Sequence, residues 1–97
     1  MTTEVRHAPN RSRYEIYVDD VLAGIADYHD GDDASAARVF PHTEIDATRR
    51  GMGLAAVLVG QALDDTRSTG RRVVPACWYV KQYIDEHPEY IDMLATE

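Results

Sequence analysis

The chain has 97 residues, with 17 acidic and 10 basic side chains and a formal net charge of −7. This length predicts one small domain spanning residues 1–97. The acidic balance argues against nonspecific nucleic-acid binding and against an electrostatic membrane anchor. A single cysteine excludes an intramolecular disulfide. With no apolar run of about 20 residues and no signal-peptide pattern, we expect a cytoplasmic protein.

Alternating apolar and polar side chains predict strands early in the chain. Residues 1–12 are polar and show no periodicity, so we expect them to be irregular. The alternation then favours a strand over Arg13–Val18 and a second over Val21–Tyr28. Asp19 and Asp20 stand between these strands, and aspartate suits tight turns, which predicts a hairpin.

A turn around Gly31 and an extended segment follow the hairpin. The turn, His29–Asp33, is rich in aspartate but does not match a calcium-loop pattern, so we predict no metal site. The segment Ala34–Ile45 contains residues that favour strands. Within it, Pro41 marks an edge, a bulge or a break, because proline has no N–H for a ladder.

The second half of the chain predicts a helix, a strand and a second helix. Apolar residues recur at helical spacing over Gly51–Thr69, and Gly70 is placed to end that helix. Gly60 inside it suggests a close contact. A short strand over Arg71–Cys77 and a helix over Tyr79–Glu86 come next.

His87–Pro88 stops the second helix, and Tyr90–Leu94 could form a last turn. The expected fold is therefore α+β, with a mostly antiparallel sheet and one strand–glycine loop–helix–strand crossover between parallel strands.

The loop before the long helix has the features of an anion site. Arg49 and Arg50 precede Gly51 and Gly53, and the helix opens directly after them. The first turn of a helix leaves backbone N–H groups without partners and carries a partial positive charge. Glycines let a phosphate approach the backbone closely. These features favour a pyrophosphate, although neither the Walker pattern nor the complete dinucleotide pattern is present.

Arg50-x-x-Gly53-x-Ala55 resembles the R/Q-x-x-G-x-G/A signature of the GCN5-related N-acetyltransferases. Three further motifs resemble those of the very small acetyltransferase-like family within that superfamily: His42-Thr43-Glu44-Ile45, Val73-Val74-Pro75-x-Cys77 and Tyr83-Ile84-x-x-His87-Pro88-x-Tyr90. The resemblance covers Tyr14 to Leu94. The resemblance implies that acetyl-CoA is the cofactor. It implies that Ile45, Arg49, Arg50, Gly51, Met52, Gly53, Leu54 and Ala55 hold it.

The resemblance also implies transfer of the acetyl group to an amine, on a small molecule or on a protein lysine. Members of the superfamily usually have an N-terminal strand followed by helices that build the acceptor side. Here we expect those helices to be missing and the acceptor pocket to be open. A non-catalytic module that binds CoA or docks a partner is the alternative. We expect a monomer or weak dimer, and the acidic surface favours a cationic acceptor.

Four residues are candidates for catalysis. His42 and Glu44 are candidate bases for the amine, and their alternative role is on the strand surface. Tyr83 is either a proton donor to the CoA thiolate, as the resemblance implies, or a core aromatic. Cys77 is a buried structural residue, a pocket-lining residue or a nucleophile in a two-step transfer. We favour direct transfer. A backbone N–H of the Phe40–Ile45 strand should polarise the thioester carbonyl, as the resemblance implies, and Trp78 and Tyr79 are expected to pack or to form a pocket wall.

Overall fold

Five strands form one sheet in chain order in the computed structural model, which describes residues 2–32 and 36–95. The first four strands pair antiparallel, and the fifth pairs parallel to the fourth. The strands are β1 (Thr3–Ala8), β2 (Arg13–Val18), β3 (Val21–Asp30), β4 (Arg38–Ile45) and β5 (Val73–Val74). Two α-helices complete the fold: α1 (Leu54–Ser68) and α2 (Trp78–Glu86). The expected α+β class and its single parallel crossover are confirmed.

The element bounds differ modestly from the predictions. Short 3-10 turns occupy Pro9–Arg11, Ala47–Arg49 and Pro88–Met93. Leu94, next to the last turn, bridges to Val73. Of the predicted Ala34–Ile45 segment, the part from Arg38 onward is strand, while positions 34 and 35 lie outside the described residues. Asp33 of the predicted turn lies outside them as well.

The prediction that residues 1–12 are irregular is wrong. Thr3–Ala8 pairs with β2 along its whole length. The sequence shows no clear alternation of apolar and polar residues in this strand, because Val5 is its one large aliphatic side chain that packs against the core. The next side chain on the same face is His7. His7 stacks on Tyr14 with ring centroids 4.4 Å apart and contacts the Tyr28 hydroxyl at 2.5 Å. An imidazole ring therefore does the packing that an apolar residue usually does in such a strand.

The core lies between one face of the sheet and the two helices. Tyr14, Ile16 and Phe40 from the strands pack against Leu58 and Leu63 of α1, and all five side chains are buried. Alternation places the polar residues of β2 on the opposite face. We call the helix-covered face the inner face and the opposite face the outer face. Within the described residues, both α-helices pack on the inner face.

A buried arginine connects the sheet to α1. Arg38 donates to Asp30 at 2.7 Å and to the Tyr14 hydroxyl at 2.6 Å, and its guanidinium lies 4.1 Å from the centre of the Tyr28 ring. The Tyr14 hydroxyl in turn donates to Asp65 of α1. The hydrogen bond from Arg38 lowers the pKa of Asp30. Burial, aided by the bond to Asp65, raises the pKa of Tyr14, so its hydroxyl stays protonated. The charge of Arg38 is thus satisfied within the core.

β4 and β5 stay together for two residue pairs only, Arg38 with Val73 and Val39 with Val74. Pro75 then interrupts β5, because it cannot donate to a ladder. The chain turns sharply there, with the Ala76 N–H bonded to the Val74 carbonyl at 3.0 Å. The two strands diverge beyond this point, so the edge of β4 is left without a partner strand.

Gly60, in the middle of α1, is explained by a contact with α2. A Cβ at this position would lie 2.7 Å from the Tyr83 hydroxyl oxygen. The close approach expected from the sequence is therefore present, although the neighbour is a side chain and not backbone.

We expect Gly60→Ala to gain little or no stability in the wild-type chain, because the helix-propensity gain is offset by the clash with the Tyr83 hydroxyl. In a Tyr83→Phe background the same substitution should raise the free energy of unfolding by about 1 kcal/mol. Urea denaturation of the four proteins of this cycle measures the coupling. Equal effects of Gly60→Ala in both backgrounds would show that the hydroxyl is not the obstacle.

Candidate functional site

An open cavity of about 250 Å³ lies at the N-terminus of α1. We call it the loop cavity; its walls are Ile45, Arg49, Arg50, Gly51, Gly53, Leu54, Ala55, Ala56 and Tyr79. Of the residues predicted to hold the cofactor, Met52 alone is outside this wall, and its side chain is exposed. The loop motif has therefore placed its residues around one concave surface.

The N-terminus of α1 is uncapped by any side chain. Gly53 occupies the N-cap position with φ +74°, and no side chain bonds the first turn. Gly51, with φ +85°, also uses the left-handed region that favours glycine. The first turn contains no acidic side chain. Its free backbone N–H groups and the helix dipole are thus available to an anion.

Arg49 and Arg50 differ from the other cations of the chain. Each of the others contacts a carboxylate, apart from Arg72, which donates to the backbone carbonyl of Asp92. Neither Arg49 nor Arg50 has an ion-pair partner among residues 2–32 and 36–95. Both lower the pKa of the nearby Asp46, after the larger effect of its hydrogen bonds from Thr48. Two guanidinium groups without an ion-pair partner among the described residues therefore lie beside the uncapped N-terminus of α1.

A second cavity, of about 380 Å³, opens where β4 and β5 diverge. We call it the edge cavity; its walls are His42, Thr43, Glu44, Ile45, Arg50, Ala55, Trp78 and Tyr79. It shares Ile45, Arg50, Ala55 and Tyr79 with the loop cavity. The two cavities form one groove, which runs from the helix N-terminus along the unpaired edge of β4.

A bulge sets which backbone groups of β4 face this groove. β4 has one residue more than β3 between the pairs His29–Val39 and Asp27–His42. Before the bulge, the Phe40 carbonyl points to the β5 side and accepts from the Cys77 N–H at 2.8 Å. After it, Asp46 donates to Ala23 of β3. Because hydrogen-bonding direction alternates along an antiparallel strand, the backbone N–H groups of Thr43 and Ile45 face the open edge.

His42 and Glu44 line the edge cavity from the outer face of the sheet. They stand two residues apart on β4, and the His42 Nε2 lies 3.3 Å from Glu44 Oε1. Both side chains are more than half exposed. The two candidate bases are therefore brought together at the groove, in contact with each other.

Cys77 lies at the point where the groove closes. It is the N-cap residue of α2, is 8% exposed, and its thiol contacts the Thr43 hydroxyl at 3.8 Å. It lines neither cavity. The geometry places Cys77 as a buried residue behind Thr43.

Tyr83 and Tyr79 occupy different surroundings on α2. Tyr83 lines neither cavity; its ring stacks on His87 at 3.9 Å, and its hydroxyl lies beside Gly60. Tyr79, one turn earlier, borders both cavities. Burial is the main cause that raises the pKa of Tyr79, so its hydroxyl is protonated at neutral pH. The expected pocket-wall position of Tyr79 agrees with the structure.

Two features of the groove were not predicted from the sequence. The backbone N–H groups of Thr43 and Ile45 face it, which depends on the bulge, and Tyr79 borders it whereas Tyr83 does not. The available signal was proximity: Tyr79 stands in the first turn of α2, next to the Pro75 break, whereas Tyr83 is a turn further away.

The family model for GCN5-related N-acetyltransferase matches residues 13–93. This chain belongs to that family.

Relatives of known sequence match a shorter segment. Protein NATD1 of Mus musculus is 34% identical over 55 residues, which are 55% of this chain and 50% of that protein. Protein NATD1 of Homo sapiens is likewise 34% identical over 55 residues, 55% of this chain and 49% of that protein. The matched segment thus spans about half the length of these relatives.

Solved structures share the fold. Ribosomal-protein-alanine N-acetyltransferase from Brucella melitensis biovar Abortus 2308 matches with a TM-score of 0.58 and 20% identity, over 88% of this chain and 62% of that chain. AAC(6')-Iy, solved in complex with the bisubstrate analogue CoA-S-monomethyl-acetylneamine, matches with a TM-score of 0.55 and 16% identity, over 88% and 65% of the two chains.

One family expectation is corrected in detail. The N-terminal strand, which was not predicted from the sequence, is present as β1. The helices expected to follow it in larger members are replaced by the three-residue turn Pro9–Arg11. The outer face next to His42 and Glu44 is consequently uncovered within the described residues.

Neither helix of the described residues is long and apolar enough to cross a membrane.

We expect Gly53→Ala to lower the free energy of unfolding by about 1 kcal/mol, because a Cβ disfavours the left-handed conformation. Gly53→Asn should cost less, since asparagine tolerates that conformation better. Met52→Ala is the matched control, as Met52 is an exposed neighbour whose φ is negative. Chemical denaturation measures all three variants. A loss for Met52→Ala as large as that for Gly53→Ala would contradict the conformational explanation.

Proposed function

We propose that this protein transfers an acetyl group from acetyl-CoA to a primary amine by direct attack. The observation that carries the proposal is the pair Arg49 and Arg50, uncommitted to any described carboxylate and placed at an uncapped helix N-terminus. In a chain of net charge −7, uncommitted cations at one concave site indicate an anionic ligand. Membership of the GCN5-related N-acetyltransferase family supports CoA as that anion.

The residues of the loop cavity fit the pyrophosphate of CoA. Arg49 and Arg50 supply guanidinium donors, and the first turn of α1 supplies backbone N–H donors. Gly51 and Gly53 keep side chains away from the place where the phosphates would lie, since an added Cβ at either position meets open space. Ile45, Leu54 and Ala55 offer an apolar wall for the pantetheine arm.

The edge cavity supports the chemistry. The backbone N–H groups of Thr43 and Ile45 face it and are the donors we assign to the thioester carbonyl. The amine nitrogen bonds to the carbonyl carbon, the carbon–sulfur bond breaks, and the amine gives up a proton to His42 or Glu44, which border the cavity. The departing thiolate takes a proton, for which we propose Tyr79 in preference to Tyr83, because Tyr79 borders the groove.

Direct transfer is favoured over a two-step route through Cys77. The thiol is buried, bonded to Thr43 and outside the walls of the groove. A nucleophile needs access to the carbonyl carbon and an environment that stabilises the thiolate. His42 and Glu44, in contrast, are exposed on the side from which an amine can approach.

Arg49→Gln and Arg50→Gln should each weaken CoA binding by about tenfold, since a charge-assisted hydrogen bond contributes about 1.5–3 kcal/mol. Isothermal titration calorimetry with CoA measures the effect. Arg72→Gln is the matched control, because Arg72 lies outside the groove and donates to a backbone carbonyl.

Pantetheine, which lacks the pyrophosphate, provides the ligand control, and neither variant should change its binding. No binding of CoA to the folded wild-type protein at near-millimolar concentration would overturn the proposed function. Equal losses for CoA and pantetheine would show that the arginines act other than through the phosphates.

Cys77→Ala should retain kcat/KM within about tenfold of the wild type, whereas loss of a covalent nucleophile lowers rates by about 10⁴ or more. The assay screens primary amines and lysine peptides as acceptors with acetyl-CoA, and it measures the free CoA that is released. Intact-protein mass spectrometry after incubation with acetyl-CoA alone should show no acetyl adduct on Cys77.

A chemically competent adduct would favour the two-step route. CoA binding without turnover of any amine would favour the alternative, a non-catalytic CoA-binding module.

A further inference from the structure

A third cavity, of about 270 Å³, lies on the outer face of the sheet. We call it the outer cavity; its walls are Arg13, Leu22, Ala23, Gly24, Ile25, Glu44 and Asp46. It shares Glu44 with the edge cavity, so the two cavities meet at this side chain. The N-terminal turn Pro9–Arg11 leaves this part of the sheet uncovered.

The wall of the outer cavity combines apolar and acidic side chains. Leu22, which is 40% exposed, and the partly exposed Ile25 supply its apolar part, whereas the Ala23 side chain is buried in the core. Glu44 and Asp46 are its carboxylates, and Glu44 also borders the edge cavity. Hydrogen bonds from Thr48 lower the pKa of Asp46, so this carboxylate is ionised at neutral pH.

Arg13, the one cation on the wall of the outer cavity, is paired with a buried carboxylate. Its guanidinium donates to Glu15 at 2.8 Å, and Glu15 is itself buried. Burial acts to raise the pKa of Glu15, but the hydrogen bonds from Arg13 and Tyr17 outweigh it and the net shift is downward. Glu15 thus pairs with Arg13, and it also accepts from Arg11 at 3.2 Å. On the cavity wall itself the two carboxylates, Glu44 and Asp46, outnumber the one cation.

The edge cavity ends at an exposed aromatic ring. Trp78 is 74% exposed and lines the edge cavity together with His42 and Glu44. A tryptophan face attracts a cationic amine, and the effect grows as water is excluded. An amine bound in the edge cavity would be adjacent to the outer cavity, because Glu44 borders both.

We propose that the outer cavity is the acceptor-specificity site, which binds an apolar group attached to the amine that is acetylated. This inference rests on the proposed function. The acceptor is then a primary ammonium compound with an apolar neighbour: the ammonium group is attracted by Glu44 and Trp78, and the apolar group covers Leu22 and Ile25. A lysine followed by an apolar residue and a free alkylamine share this chemistry.

The test compares acceptors that carry the same charge. Nα-acetyl-lysyl-leucine amide is measured against Nα-acetyl-lysyl-serine amide, and octylamine against ethanolamine. Both kcat/KM and binding to the CoA-saturated protein are determined. Binding is read from tryptophan fluorescence, because Trp78 is the only tryptophan of the chain. The peptide pair and the alkylamine pair distinguish the two sources of the ligand.

We expect the wild type to have a kcat/KM about tenfold higher for the apolar acceptor in at least one pair, because burial of one apolar side chain contributes a free energy of that size. Leu22→Gln should bring the ratio close to one, and Leu22→Met should keep it. Val21→Gln is the matched control, because Val21 is an exposed apolar neighbour outside the cavity wall. CoA affinity should be the same in all of these proteins.

The inference would be overturned if Leu22→Gln left the preference for the apolar acceptor unchanged, or if the wild type used the apolar and polar acceptors equally. The proposed function would still stand in either case, provided that the protein binds CoA. Binding of CoA without binding of any of the four amines would overturn the inference as well. Failure of the wild type to bind CoA would remove the proposed function, and this inference with it.

Discussion

The divergence of β4 from β5 is the constraint on which the rest of the site depends. Pro41 lies two residues beyond Val39 in β4, and Pro75 directly follows Val74 of β5; neither proline can donate to a ladder. The Cys77 N–H then bonds the Phe40 carbonyl and fixes where the opening begins. Without this separation the β4 edge would be covered by its neighbour, and no backbone donor could face a substrate.

The bulge in β4 converts that opening into a polar surface of defined direction. Beyond the bulge, the backbone N–H groups of Thr43 and Ile45 face the groove. The Phe40 carbonyl, in contrast, accepts a hydrogen bond from the Cys77 N–H. The same change places His42 and Glu44 together on the outer face. One extra residue thus determines both which backbone N–H groups face the groove and which side chains of β4 lie on the outer face. A shift of this kind re-aims side chains as bulges commonly do.

The distribution of charge follows from pairing. Ion pairs neutralise most cations of the chain locally, and Arg38 is satisfied inside the core by Asp30 and Tyr14. Arg49 and Arg50, without an ion-pair partner among the described residues, lie at the N-terminus of α1, which has no side-chain cap and borders a cavity. The proposed anion site thus relies on local donors in a chain of net charge −7. On the outer face, the wall of the outer cavity carries two carboxylates, Glu44 and Asp46, against one cation, Arg13.

Local patterns were enough to predict the helices, the hairpin, the parallel crossover and the arginine–glycine loop, because each depends on neighbours in the sequence. β1 was missed since its inward side chains include a histidine, whose role is set by Tyr14 and Tyr28 from other strands. The orientation of Thr43 and the choice between Tyr79 and Tyr83 depend on how distant elements meet. A periodic pattern does not contain that information. The outer cavity is likewise formed by three strands and a loop.

The absence of a helical layer between β1 and β2 has a consequence for specificity. Larger members are expected to enclose the acceptor between helices. The described residues of this chain leave the outer face of the sheet open, with the outer cavity on it. In the proposed acceptor site, recognition comes from side chains of the sheet itself: Ile25 and Leu22 within β3, and Glu44 at the edge of β4. A surface of this kind combines an apolar contact with a charged one, so the proposal makes the chemistry next to the amine, and not the overall size of the acceptor, the basis of selection.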